Sequence, residues 1–467
     1  MGNVSESLRK VGYSVGANLV GLAVSLVVTL VVPGVLKEDV AQYGYLQIFI
    51  FYVGYAGLLH FGWCDGILLK EAGKSFDSLD KAECSTQIRL MAVMQLLLSA
   101  LVGIIGFCLA EDEGYRFIWI FVAVNIAVTN LKNILAYYLQ ATGRVKEFSL
   151  ATLLQFIIYG ASVVCFIWAD EKDYRSIVVG YTAGQVLALA VNAFSCRKLV
   201  FSRGVSRRYG LKTALNNISI GYKLLFANVA SLLVTGIVRI GIERSWGVET
   251  YGRIALTFSV SNMVLTFISA IEVVLFPELK KAPQDKLQAL YGSIERKLLI
   301  FMFGCFCFFY PAQLLMTAWL PAYTESISYM AILLPICIFT AKVNLQVQNY
   351  MKVYRLENDI FWVNAVSIFM SAAATVISVA VFKNLSLALI LVVVVQMLRC
   401  VLSEMMLGRR TGIKVNGGAF WEVLLSVFFV LGQWFIGGPA GACVYIAGFI
   451  IFLAWTVYTM KKDKAAG

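Results

Sequence analysis

The sequence predicts an all-α integral membrane protein of about 14 transmembrane helices: two six-helix bundles and two further helices at the C-terminal end. Three observations carry this. Apolar stretches of roughly 20 residues, the length that crosses a hydrocarbon core, recur from Val11 to Met460. Loop cations alternate from one connection to the next. A segment near the start returns near the middle at a constant offset.

The expected spans are 12–36, 42–68, 88–110, 116–139, 149–169, 176–195, 219–242, 250–276, 298–319, 327–350, 360–382, 385–407, 420–437 and 440–460. The first closes on Val-Val-Pro33-Gly34, and short charged connections separate most of the others. Span 116–139 carries Asn, Thr and Lys among its apolar residues. The apolar share is 60% and the charged share 14%, against roughly 45–50% and 25% in soluble domains.

Lys and Arg are retained on the cytoplasmic side of a membrane. Of the 39 Lys and Arg residues, 27 fall in one alternating set of connections, from Arg9 and Lys10 through the 197–212 segment to Lys461–Lys464. Six fall in the other set: Lys37, Arg116, Lys172, Arg175, Arg244 and Lys383. The remaining six lie within spans. An even span count with both termini cytoplasmic follows, and positive retention accounts for the net charge of +12 without nucleic acid. The N-terminal apolar stretch is too long for a cleavable signal and no small-residue cleavage site follows, so it reads as a permanent span.

Ten cysteines lie mostly within spans, without CxxC spacing, and read as small core residues with no disulfide or metal implied. The one histidine, His60, reads as a packed residue, which leaves no basis for a His-based triad or zinc site.

The repeat sets the architecture. Asn18, Leu22, Val24, Ser25 and Val28 match Asn228, Leu232, Val234, Thr235 and Val238 at an offset of 210. Each segment then leads to the same closing pattern, Val40-Ala-Gln-Tyr-Gly44 and Val248-Glu-Thr-Tyr-Gly252. Six spans precede the second copy, so both copies enter the membrane in one direction. Parallel repeats imply a pseudo-twofold axis along the membrane normal and a central cavity. The expected domains are 1–200, 213–407 and an additional pair of helices at 418–460.

An ionisable group at mid-membrane is costly and tends to face a cavity or a partner. Asn228, Ser231, Thr235 and Arg239 share one helical face, and Asn18, Ser25 and Thr29 form a weaker counterpart. Asn125, Thr129 and Lys132 make a third stripe, and Asn262, Thr266, Ser269 and Glu272 a fourth. Lys342 with Gln346 and Asn349, and Arg399 with Gln396, complete the set. Arg239, Lys132, Lys342, Asn228, Thr235, Asn125 and Arg399 are the candidate substrate-binding residues for an anion, since Arg grips phosphate bidentately and Lys as a point charge. The competing reading for long cations near helix ends, Arg399 and Lys223 above all, is snorkelling to headgroups. Asp65 and Glu272 end their spans at nearly equivalent repeat positions and are candidates for a coupling proton or sodium ion, or for structural pairing with a nearby Lys.

Further motifs are Tyr43-Gly44-Tyr-Leu-Gln, Phe61-Gly-Trp-Cys-Asp65-Gly66-Ile-Leu-Leu-Lys-Glu71, Gln140-Ala-Thr-Gly143-Arg-Val, Glu249-Thr-Tyr-Gly252-Arg and Leu275-Phe-Pro277-Glu-Leu. On these residues, spread over roughly 8–407, the chain resembles the polysaccharide flippases, the oligosaccharide-lipid branch of the multidrug/oligosaccharidyl-lipid/polysaccharide exporter superfamily. The resemblance implies two six-helix bundles that work by alternating access. It implies that they move a polyprenyl-pyrophosphate-linked oligosaccharide to the outer leaflet of a bacterial plasma (inner) membrane for cell-surface polysaccharide, lipopolysaccharide or capsule. It carries no catalytic residue, so no enzyme is expected, nor a cofactor. Partners would be the lipid-linked glycan, membrane lipids and other polysaccharide assembly proteins. The two extra spans look like the fourteen-span arrangement of lipid II flippases, which keeps a peptidoglycan-precursor substrate open.

A multidrug exporter of the same superfamily would want carboxylates in its cavity, and cations outnumber acids in the expected spans. A membrane glycan polymerase or ligase would want a large outward loop, and the outward loops are short. A GxxxxGK[ST] phosphate loop is missing, because Leu68 stands where the leading glycine before Gly73-Lys-Ser75 is required. Energy must then come from an ion gradient, the membrane potential or flux.

Overall fold

The structure, a computed structural model, describes the backbone of residues 2–283, 286–413 and 418–466. The side chains of 2–11, 14, 15, 227, 228, 231, 267, 269–274, 276–278, 281 and 461–466 lie outside the description. The described backbone is almost wholly helical, and the protein is a multi-pass membrane protein. Nine helices among the described residues are long and apolar enough to cross a membrane, or twelve when three bent pairs each count as one span. The remaining two expected spans, 219–242 and 250–276, fall in the helical run Arg207–Lys281, which breaks at Gly247 with φ of 77°. Fourteen spans are consistent with that architecture.

The bends have local causes. Val40–His60 and Trp63–Glu71 meet at 56° across Phe61 and Gly62, whose φ values are 52° and 83°. Glycine adopts that left-handed backbone without strain. Here it also admits a neighbour, since a Cβ on Gly62 would stand 2.6 Å from the Gly221 carbonyl carbon. The pairs Leu287–Phe306 with Phe309–Trp319 and Pro321–Leu333 with Pro335–Val353 bend by 41° and 42°. At the latter, Pro335 lacks the N–H that would continue the helix.

The chain divides into two compact units, Met1–Val229 and Ala230–Gly467. In the first, the core gathers Trp63, Cys64, Met91, Ile134, Leu139, Cys196 and Leu199. Buried amides tie its helices together. Trp63 Nε1 donates to Gln87 Oε1 at 2.9 Å, and Gln87 Nε2 donates to the Gly210 carbonyl at 2.9 Å. Asn130 Nδ2 lies 2.9 Å from the Ala56 carbonyl and 2.9 Å from Gln95 Oε1.

The connections of this unit sort to two ends, as the alternating charge requires. At one end the Gly73 amide donates to the Ala141 carbonyl at 3.1 Å, Ser85 Oγ to the Ser202 carbonyl at 2.9 Å and Arg144 Nη1 to the Ser195 carbonyl at 3.1 Å. This is the end rich in Lys and Arg. At the other end Tyr45 Oη donates to Asp112 at 2.7 Å and Tyr174 Oη to the Gly114 carbonyl at 3.0 Å. Lys172 Nζ there reaches the Val35 carbonyl at 3.0 Å.

In the second unit Met302, Phe303, Phe306, Phe429, Tyr445 and Phe452 form a core that includes both C-terminal helices, Gly418–Ile436 and Gly438–Met460. Its connections also sort by end. Tyr350 Oη donates to the Leu287 carbonyl at 3.2 Å and Arg410 pairs with Asp359 at 3.1 Å. Elsewhere Arg253 pairs with Glu325 at 3.0 Å and Tyr329 stacks on Trp434. The repeated motif tyrosines, Tyr43 and Tyr251, are both fully buried, each in its own unit.

Gly66 lies so close to the Asn217 backbone that an added Cβ would collide with its carbonyl oxygen. Backbone cannot yield as a side-chain end can. Gly66→Ala is therefore expected to lower stability by about 1–3 kcal/mol, read as a lower thermal midpoint in detergent.

Candidate functional site

The candidate residues separate into three settings. In the first unit, helices Glu113–Ala141, Val145–Trp168 and Arg175–Ser195 share a polar seam. Asn125, fully buried, donates through Nδ2 to Thr182 Oγ1 at 2.8 Å. Lys132 Nζ donates to Gln155 Oε1 at 2.8 Å and to Gln185 Oε1 at 2.7 Å. Gln185 in turn donates to Tyr181 Oη at 3.0 Å, and Asn192 Nδ2 donates to the Lys132 carbonyl at 3.3 Å.

Lys132 is half-buried and stands nine residues before the helix end at Ala141, about 13 Å at 1.5 Å per residue. The helix has 29 residues, so Lys132 lies within the span, in the half nearer the Lys- and Arg-rich end. Among the described residues no carboxylate pairs with it; two neutral amide oxygens hold the ammonium.

Arg239 in the second unit has a different setting. Its Nη2 donates to Tyr251 Oη at 2.9 Å, and its guanidinium lies 5.2 Å from the Phe258 ring centroid and 5.6 Å from that of Tyr251. An aromatic face attracts a cation and helps fix the plane of the guanidinium. Thr235, one turn earlier, turns its hydroxyl back to the Leu232 carbonyl at 3.2 Å. The Asn228 and Glu272 side chains lie outside the described residues.

The third setting revises the expectation for Lys342. It is wholly buried and lies among three carboxylates from three other helices. Its Nζ is 3.0 Å from Glu295 Oε1, 2.7 Å from Glu404 Oε1 and in direct contact with Glu422 Oε1. Tyr291 Oη donates to Glu404 Oε1 at 2.8 Å. Lys342 opens a π-helical turn, Lys342–Val347, a rare widening that often marks a functional site. The sequence stripe of Lys342, Gln346 and Asn349 is thus a packed face. Gln346 donates to the Tyr291 carbonyl at 3.1 Å and Asn349 to its own helix at the Leu345 carbonyl, 2.8 Å away.

Arg399 does not snorkel. It is wholly buried, with Nε and Nη2 donating to Asn364 Oδ1 at 3.2 and 2.9 Å and Nη1 near Gln396 Oε1 at 3.4 Å. Asp65 is buried beside the bend at Gly62, 3.9 Å from His60 Nε2, while His60 Nδ1 accepts from the Gly62 amide at 3.1 Å. His60 is packed, as its sequence setting indicates.

Sequence reasoning missed Glu295, Glu404 and Glu422, and with them the balance of intramembrane charge: the spans hold more acid than the sequence count allowed. Glu295 was placed in a connection because the apolar stretch begins after Lys297, whereas the helix begins at Leu287. Glu404 and Glu422 stand inside expected spans, and a buried Lys342 without a partner was the available signal. Cys400, Glu404 and Glu422 bring donor atoms within 4.8 Å of one another. The Lys342 ammonium contacts both carboxylates and takes the place a metal ion would need.

Removing one partner of a buried ion cluster strands the others. Lys342→Met is expected to lower stability by about 3–5 kcal/mol, read as a fall in thermal midpoint. Combining it with Glu404→Gln and Glu422→Gln should recover part of the loss.

Solved structures share the fold over most of the chain. An inward-facing multidrug resistance MATE family transporter of the MOP superfamily aligns with a TM-score of 0.64 at 13% identity, over 85% of this chain and 94% of that one. The lipid II flippase MurJ, in its inward closed conformation, aligns with a TM-score of 0.60 at 11% identity, over 96% of this chain and 100% of that one. A MATE protein in complex with MaL6 gives 0.56 at 14% identity, over 86% and 96%. No curated protein matches the sequence. The family model described as "Polysaccharide biosynthesis protein" matches residues 43–322, more than half of the chain, and to that family the protein belongs.

Proposed function

We propose that this protein is a flippase that carries a polyprenyl-pyrophosphate-linked oligosaccharide from the inner to the outer leaflet of a bacterial plasma membrane by alternating access, with no enzymatic step. Lys132 carries the reading. A cation inside a membrane span, half-buried and held among the described residues by amide oxygens, offers a charge that no described carboxylate neutralises. An anionic group on a passing substrate supplies the missing charge, and the buried amides Gln155 and Gln185 hold the ammonium in place for it. Arg239, held against Tyr251 and Phe258, would be a second contact for phosphate, with Thr235 and Asn228 on the same helical face. The family description supports a glycan substrate.

In this reading the domains are 1–200, 213–407 and 418–460. Arg399 and Lys342 serve packing more than substrate contact, and Asp65 and Glu272 are candidates for an ion-coupling role. A second reading, a lipid II-type precursor flippase, is favoured by one observation: the fold of the lipid II flippase MurJ aligns over 96% of this chain and 100% of that one.

The test is leaflet inversion of a fluorescent polyprenyl-pyrophosphate glycan in proteoliposomes. A charged hydrogen bond to phosphate is worth about 1.5–3 kcal/mol, so Lys132→Gln and Arg239→Gln should each slow inversion about tenfold to hundredfold while the thermal midpoint holds. Wild-type rates in both variants would remove these residues from the route. Orientation is checked separately in a background without reactive cysteines. An impermeant thiol reagent applied outside cells should label Asp170→Cys and spare Asp77→Cys, both side chains being well exposed at opposite ends of the first unit.

A further inference from the structure

Glu295, Lys342, Glu404 and Glu422 come from four helices of the second unit and are at most 2% exposed. Three carboxylates around one ammonium leave two negative charges in excess when all are ionised. Each uncompensated charge costs several kcal/mol in a dry interior, and two carboxylates that share a site resist ionising together. The excess therefore calls for further positive charge. The ammonium already stands where a metal ion would bind, so the fitting ligand is a proton.

An open acceptor is present. Glu404 Oε1 takes the Tyr291 hydroxyl and the ammonium, while Glu404 Oε2, fully buried, has no hydrogen-bond partner. Such an oxygen is costly to leave bare and is where an added proton would reside. The other titratable or charged groups facing the cluster are Tyr291 and Cys400, with Arg296 and Arg399 at its flanks. The guanidinium of Arg399 is turned to Asn364 and Gln396. Lys342 lies eight residues before Tyr350, which contacts Leu287 at the end where Asp359 and Arg410 pair, so about two helical turns separate the cluster from that surface.

We propose that the Glu295–Lys342–Glu404–Glu422 cluster is a proton-carrying site, and that loading and unloading it couples transport to the proton gradient. The coupling clause rests on the flippase reading; the proton site does not. A hydronium ion gives its proton to one carboxylate: one O–H bond of the hydronium breaks, one forms on the carboxyl oxygen, and a water molecule leaves. It weakens the tie from Glu404 to the ammonium and leaves the ammonium to Glu295 and to Glu422, which anchors helix Gly418–Ile436 in this cluster.

Infrared difference spectroscopy of the reconstituted full chain reads the proton directly. At neutral pH we expect the carbonyl-stretch band of a protonated carboxyl, lost when pH is raised and weakened in both Glu404→Gln and Glu422→Gln. In proteoliposomes a pH gradient should change wild-type inversion severalfold and leave Glu404→Gln indifferent. Should either variant fail to fold, the wild-type band and its pH titration still decide. Absence of a titrating carboxyl band in wild type overturns the site, as does its removal by sodium at fixed pH, which would make the ligand a metal cation. A titrating band with an unchanged gradient response in Glu404→Gln overturns the coupling alone. A titrating band in a protein that inverts no glycolipid defeats the flippase reading and leaves the proton site standing.

Discussion

Hydrocarbon offers neither hydrogen bonds nor counterions, so a chain that lives in it must satisfy every polar group from its own residues. Helical backbone meets most of that demand. Side chains meet the rest, and the two units do so differently. The first relies on neutral amides: Gln87, Gln95 and Asn130 close carbonyls left open near the bend at Gly62 and beside the 207–229 helix. The second invests in formal charge, with Lys342 and three glutamates tied at one point. Lys132 stands apart from both solutions. Its ammonium is hydrogen-bonded but not neutralised, which makes it a place of unmet electrostatic demand rather than of structural closure.

Much of the fold could be read from residues alone because its causes are periodic. Apolar length marks spans, loop cations mark sides, and the connections of the first unit gather at two ends in the alternation that the cations required. The bends were not legible in the same way. Phe61 and Gly62 signal a tight position, but the angle between the flanking helices depends on Gly221 and Asn217, more than 150 residues away in sequence.

The site was legible in part. Lys132, Asn125 and Arg239 are candidates because each stands at helical spacing with polar neighbours, and the structure gives each a polar partner. Their partners could not, since Gln155, Gln185, Tyr251 and Phe258 come from other helices or other turns and follow no spacing rule. Lys342 shows the opposite failure. Its polar stripe resembled a cavity face, yet the decisive residues were acids on three neighbouring helices, one of which begins eleven residues before the apolar stretch that had marked it.

Helix Gly418–Ile436 approaches Glu295 so closely at Gly418 that a larger residue would press on the carboxylate, and four residues on it supplies Glu422. The C-terminal hairpin is thus not an ornament that could be shed. A shortened chain ending at Thr411 would keep a lysine matched to two acids instead of three, with an altered electrical balance and an opened wall around it.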